Sequence, residues 1–298
     1  MSNNNERHFI FRGLSSNGDT LLRFREPTET VPDVLFERIV DGSYDKPFLV
    51  EDLEYRAMCF ALDGSTQSEM RLDDPEALVS AYTRKMMGFL LFRRRPRTVL
   101  MIGLGGGSLV KYCHRHLPTT HITAVEIDAE VIALRTYFHV PPDDDRLRVV
   151  NEDGARHVEN MAHTDQRTDV ILVDAYDQRG IANAVVEHLF LENSRQVLSP
   201  RGVFVMNLAE DKVACDHHIE TIRSVFGEPV IAVAMEHTGN VVVFAGSALR
   251  DRRRLMTAMR NSQRIQGRLG LNFPTLLRRT TEYQKQVRLR GERREPRR

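Results

Sequence analysis

"VLMIGLGGGSL", residues 99–109, is an apolar run that stops at a glycine and restarts as the mixed segment "SLVKYCHRH". Four of the five residues from 103 to 107 are glycine. A short apolar run closed by glycines and followed by helical spacing reads as strand, turn, helix. Gly103, Gly105, Gly106 and Gly107 permit tight backbone angles and close approach of a ligand, at a helix N-terminus whose first N–H groups lack partners. The turn alone is weak evidence. Ser108 stands at the third glycine position of the dinucleotide fingerprint, and many glycine turns bind nothing.

Outward from this turn the pattern alternates. "HITAVEI" (121–127), "LRVVNED" (147–153), "TDVILVDA" (168–175), "GVFVMNL" (202–208), "PVIAVAM" (229–235) and "NVVVFAG" (240–246) read as strands. Helices are expected around 107–117, 129–138, 154–162, 184–198 and 214–225. Apolar strands alternating with helices predict an α/β fold with a parallel sheet covered on both faces. The last two strands, joined by "EHTGN", are expected to form an antiparallel hairpin at its edge. Upstream, "VLFERIV", "KPFLVED" and "YRAMCFALDG" read as antiparallel strands of a small β unit, residues 31–72. "DPEALVSAYTRKMMGFLLF" predicts a helix over 74–92, opening the central domain, residues 73–249. Residues 1–30 read as a polar, partly disordered segment, and 250–298 as a basic, mainly helical tail.

Apolar residues make up 41% and charged residues 28%, ordinary for a soluble globular chain. "MSNNNERHFIF" lacks the apolar centre of a signal peptide, and no run approaches the roughly 18 apolar residues of a membrane span. Cys59, Cys113 and Cys215 have no metal-type spacing, so free thiols in a reducing cytoplasm are expected, with no membrane association. The net charge of +1 hides an asymmetry: from residue 250 onward there are 16 Lys/Arg against 4 Asp/Glu, and before it 26 against 37. An acidic body favours a cationic substrate. The tail lacks the aromatic–basic interleaving of a nucleic-acid surface and reads as a solvated helical face.

The strand ends carry the chemistry. Glu126 closes the second strand 23 positions after Gly103, near the roughly 20-residue spacing at which an acid grips a nucleoside ribose. Asp153 follows the third strand and is placed to reach an adenine amino group. Asp174 follows the fourth and faces the reacting end. Three acids in register with a glycine turn, at the carboxyl ends of parallel strands, point to a nucleoside site. Asp174 and Asp177, three apart, suit a cationic partner. Tyr176 between them walls a pocket or simply packs, and Arg179 attracts a carboxylate or caps the loop. His217, His218 and "CHRH" (113–116) complete no metal ligand set, and Cys215 has no His–acid partners for nucleophilic work.

From about residue 35 to 246 the chain resembles spermidine synthases, the polyamine aminopropyltransferases that use decarboxylated S-adenosylmethionine. "ALDGSTQS" (61–68), "VEID" (125–128), "DDDRLRVVNEDGARHV" (143–158), "DVILVDAYD" (169–177) and "LSPRGVFVMNL" (198–208) carry the resemblance. It implies a Rossmann-like sheet of the S-adenosylmethionine-dependent methyltransferase type, with Glu126 on the ribose and Asp153 with Gly154 on the adenine. It further implies Asp174 as proton acceptor, with Asp177, Gln67 and Tyr82 at the amine, no metal, and a homodimer. Departures mark the pocket. Gly106 stands where the family carries Asp, Gln178 replaces a Pro, no His accompanies Tyr82, and His237–Thr238 replaces paired tyrosines ahead of Gly239 and Asn240. The acceptor is therefore expected to be an amine other than, or broader than, putrescine. Two alternatives remain: a methyltransferase using intact S-adenosylmethionine, if Gly106 makes room for its carboxylate, or a nucleoside-binding protein without turnover.

Overall fold

The computed structural model describes residues 6–15, 18–62, 66–177, 180–235 and 239–251. The chain falls into two compact units. One comprises residues up to Val79 with Leu104–Tyr112 and Asp128–Pro142; the other comprises Ser80–Gly103, Cys113–Ile127 and the chain from Asp143 onward.

In the first unit, β1 (Glu6–Ser15) and β2 (Gly18–Pro27) pair antiparallel, with Phe9 opposite Phe24. After α1 (Pro32–Val40) come β3 (Phe48–Glu51), β4 (Tyr55–Cys59) and β5 (Ser68–Arg71). All five strands form one antiparallel sheet in sequence order. The stretch expected to be a polar segment is therefore two strands. Charged residues on one face alternate with Phe9, Phe11, Leu22 and Phe24 on the other, so a polar composition conceals a period of two. Phe24 stacks on Phe48 at 4.8 Å and meets Tyr44 edge-on at 5.1 Å. "VLFERIV", expected as a strand, is helical. Pro32 fits the first helical turn, and only Leu35 and Ile39, four apart, reach the core, while Val34, Phe36 and Val40 stay exposed.

The helix expected over 74–92 is shorter. Asp74–Pro75 starts a single turn, with Ala77 N–H donating to Asp74 O at 3.1 Å. α2 (Ala81–Met86) begins only later and tightens into a 3₁₀ turn, Met87–Leu91. That apolar end is buried on every side, which removes the need for helical periodicity. β6 (Thr98–Ile102), α3 (Ser108–His116), β7 (His121–Glu126), α4 (Ala129–Ala133), β8 (Leu147–Asn151), α5 (Gly154–Ala162) and β9 (Thr168–Val173) then alternate. A two-residue ribbon, β10 (Tyr176–Asp177) with β11 (Gly180–Ile181), precedes α6 (Asn183–Val186) and α7 (His188–Val197). β12 (Leu198–Leu208), α8 (Lys212–Phe226), β13 (Ile231–Ala234) and β14 (Val241–Ala245) complete the described chain.

The central sheet runs β13-β14-β12-β9-β6-β7-β8. β12, β9, β6, β7 and β8 are parallel, and the β13–β14 hairpin lies antiparallel at the edge, as the sequence suggested. Every residue of β9 is buried, which explains the unbroken apolar run 170–173 that follows Thr168 and Asp169. From β6 the chain steps outward to β7 and β8, then returns to β9 on the opposite side of β6. The carboxyl end of β6 is thus a topological switch point, where open α/β sheets bind ligands. Among the described residues no helix is long and apolar enough to cross a membrane.

Candidate active site

The turn after β6 is built around Gly103. Its N–H donates to Val125 O at 2.8 Å, and its φ is +93°. A Cβ there would lie 2.1 Å from the carbonyl oxygen of Asp174. Only glycine allows the peptide after β9 to come so close. Asp174 N–H in turn donates to Ile102 O at 2.9 Å. The turn and Asp174 are one joint.

The Asp174 side chain is partly buried. Asn207 Nδ2 donates to its Oδ1 at 2.9 Å, and the Tyr82 hydroxyl, from α2, also bonds the carboxylate. Burial raises the proton affinity of Asp174, and these two donors partly offset that rise. Tyr82 is held well above the ordinary tyrosine range by burial and by the charge of Asp174. Tyr176 is raised by the same two causes. Its hydroxyl donates to Asn207 O at 3.0 Å and accepts from Ala209 N–H at 2.5 Å. Behind them, Asn240 Nδ2 donates to Asn207 Oδ1 at 3.0 Å.

On the other side of β6, Glu126 ends β7 and is 9% exposed. Its carbonyl accepts from Glu152 N–H at 3.1 Å and from Asn151 Nδ2 at 2.9 Å, which ties the ends of β7 and β8 together. Asp153 caps α5, its Oδ1 accepting from Arg156 N–H at 3.0 Å, and Gly154 is the first residue of that helix. The carboxyl ends of β7 and β8 thus present acids on one flank of the switch point, and those of β9 and β12 present Asp174 and Asn207 on the other.

Within the first unit, Gly105 and Gly107 adopt left-handed backbone. Gly106 N–H donates to Ser68 Oγ at 2.9 Å. A Cβ on Gly106 would stand 2.6 Å from Ser68 Oγ and 2.7 Å from Phe138 Cδ1. A side chain at 106 would therefore meet a hydroxyl and a ring that come from distant parts of the sequence. Gln67, half-buried ahead of β5, anchors its backbone by donating to Met58 O at 2.9 Å.

Asp177 stands opposite Gly180 in the β10–β11 ribbon. Gln178, Arg179, His237, Thr238 and the basic tail from 252 lie outside the described residues. His218 Nε2 pairs with Glu210 Oε2 at 2.9 Å, and the Cys215 thiol, pushed up by burial, donates to Glu210 O at 3.5 Å. Among the described residues no group of three or more His, Cys, Asp or Glu gathers at metal-binding distance. Sequence reasoning missed Asn207, Asn240 and Ser68. Asn207 carried a signal, as the one polar residue in the buried run "VFVMNL"; Ser68 carried none.

A family model described as the spermine/spermidine synthase domain matches residues 79–242. A polyamine aminopropyltransferase from Chromobacterium violaceum is 36% identical over 222 residues, 74% of this chain and 84% of that protein. A solved spermidine synthase in complex with the transition state analogue AdoDATO shares the fold at TM-score 0.53 and 19% identity, over 81% of this chain and 76% of that one. Human methyltransferase-like protein 13 in complex with SAH matches at TM-score 0.57 and 25% identity, over 62% of this chain and 91% of that one.

Proposed function

The chain belongs to the spermine/spermidine synthase family, and from that premise we propose that it moves the aminopropyl group of decarboxylated S-adenosylmethionine onto a polyamine-type amine, with Asp174 as general base. The observation that carries the proposal is Asp174 itself. It is a carboxylate of raised proton affinity, at the carboxyl end of β9, against the glycine turn.

An alkylammonium acceptor has a pKa near 10, as lysine does, and reaches the site protonated. Asp174 accepts its proton. The freed nitrogen lone pair attacks the methylene carbon beside the sulfonium, the carbon–sulfur bond breaks, and its electron pair leaves on sulfur. The products are the aminopropylated amine and neutral methylthioadenosine. The sulfonium is already a good leaving group, so the work left to the chain is holding the amine and taking its proton. Raised proton affinity brings Asp174 nearer the range of an effective base. Asp177, Gln67, Tyr82 and Tyr176 are the proposed acceptor-side residues. Glu126 for the ribose, Asp153 with Gly154 for the adenine, and Gly103, Gly105 and Gly107 for close backbone approach make up the proposed donor side.

Methyl transfer from intact S-adenosylmethionine is the alternative, and the match to polyamine aminopropyltransferases supports it less. The test pairs each donor with a panel of di- and polyamines and identifies products by mass. Aminopropylated amine and methylthioadenosine are expected from the decarboxylated donor alone. Asp174→Asn is expected to lower kcat by about 10²–10⁴-fold. Methylated amine from the intact donor, or an Asp174→Asn variant of undiminished rate, overturns the proposal.

A further inference from the structure

We propose that Asn207 is the positioning residue for the base, and that Asn240 sets which end of the Asn207 amide Asp174 meets. This deepens the reading of Asp174 as general base and rests on it.

β12 and β9 run parallel with Met206 beside Val173, so the next residues, Asn207 and Asp174, stand level at the strand ends. β14 lies on the other side of β12, and Asn240 immediately precedes it. Asn207 is 2% and Asn240 7% exposed. Two amides so buried need partners, since an unpaired one costs more than an apolar side chain of the same shape. They find them in a directed chain. Asn240 Nδ2 donates to Asn207 Oδ1 at 3.0 Å, and Asn207 Nδ2 donates to Asp174 Oδ1 at 2.9 Å.

The direction is forced by chemistry. An ionised carboxylate only accepts, so Asp174 must face an amide NH₂. Reversing Asn207 would turn its oxygen onto the carboxylate and its NH₂ onto that of Asn240, two repulsive pairs in place of two bonds. Asn207 O is also occupied, by the Tyr176 hydroxyl. The amide is thus gripped from its side chain and its backbone, and holds Asp174 Oδ1 in one place.

The titratable groups that face Asp174 are Tyr82 from α2 and Tyr176 from β10, and Glu210 and Cys215 face Tyr176 in turn. Asn207 is the non-titrating donor beside the Tyr82 hydroxyl, and it favours the ionised, proton-accepting form of the base. Without it the base holds its proton to higher pH.

The test is kcat against pH for the full chain carrying Asn207→Leu, Asn240→Leu or Asp174→Asn. Asn207→Leu is expected to move the acid limb upward by about one pH unit, with much of the rate restored at higher pH. Asn240→Leu, which reaches Asp174 only through Asn207, should move it the same way by less. Asn207→Gln, which keeps the donor, should restore the limb toward wild type. A uniform loss of kcat with an unmoved limb in both leucine variants overturns the inference, because a merely structural role acts at every pH. If Asn207→Leu does not fold, Asn240→Leu decides by the same readout. Asp174→Asn separates the two readings. Retained turnover with the wild-type limb sinks Asp174 as base, whereas an inactive Asp174→Asn beside an unmoved Asn207→Leu limb sinks only the role of Asn207.

Discussion

Gly103 and Gly105 look alike in sequence and differ sharply in what surrounds them. A Cβ on Gly105 would meet only Ser68, at 3.6 Å, whereas one on Gly103 would strike the Asp174 peptide. Gly105→Ala is therefore expected to cost about 1–2 kcal/mol, the strain of left-handed backbone. Gly103→Ala should cost roughly 2–4 kcal/mol by adding a steric clash, and should also lower kcat because the displaced peptide carries the base. Urea unfolding of both variants, read with kcat, checks this; equal costs would show that the close contact is unimportant. At this scale the place of the acids at strand ends was legible, since Glu126 ends an apolar strand and Asp153 and Asp174 each follow one. Asn207 left only the trace of a lone polar residue in an apolar strand, and a bond such as that between Ser68 and Gly106 joins residues 38 positions apart with no local trace.

Among the elements, α3 carries the least expected feature, a lysine in the core. Lys111 is 2% exposed, and its Nζ donates to Phe138 O at 2.7 Å, fastening the segment whose ring covers Gly106. Burial pushes its pKa down to about 8, with Glu76 opposing and Arg56 assisting. The unfolded chain then binds a proton that the folded chain lacks between about pH 8 and the ordinary lysine value near 10.4. Stability should rise with pH across that window, and below it the full penalty of burying the charge is present. Relative to Lys111→Met, the wild type should gain up to about 3 kcal/mol over the window, read from unfolding curves at successive pH values. A constant difference would mean that the ammonium is better solvated than its burial indicates. Elements with a clear period were legible: β6 to β9 and α5 lie close to where they were expected. "VLFERIV" was not, because seven mostly apolar residues fit either period until Pro32 and the Leu35–Ile39 spacing are weighed together. β1 and β2 were hidden by their charged outer faces.

Over the whole molecule, the residues before 250 carry 26 Lys/Arg against 37 Asp/Glu. A polyamine acceptor should feel that field at a distance. Raising salt from about 0.05 to about 0.5 M is expected to raise its KM severalfold, while the Kd of uncharged methylthioadenosine changes little. Equal responses of the two, in kinetics and calorimetry, would remove the field as a cause. The sheet order adds a consequence of another kind. Because β7 and β8 lie on one side of β6, and β9 and β12 on the other, the acids proposed to grip the nucleoside all precede residue 160. Apart from Tyr82 and Gln67, the groups proposed to meet the amine all follow residue 170. The exposed stretch 163–167 lies between them. A recombination joint there would pass most of the acceptor side from one lineage to another, provided the incoming half keeps a peptide that fits against Gly103 and works with the resident Gln67 and Tyr82.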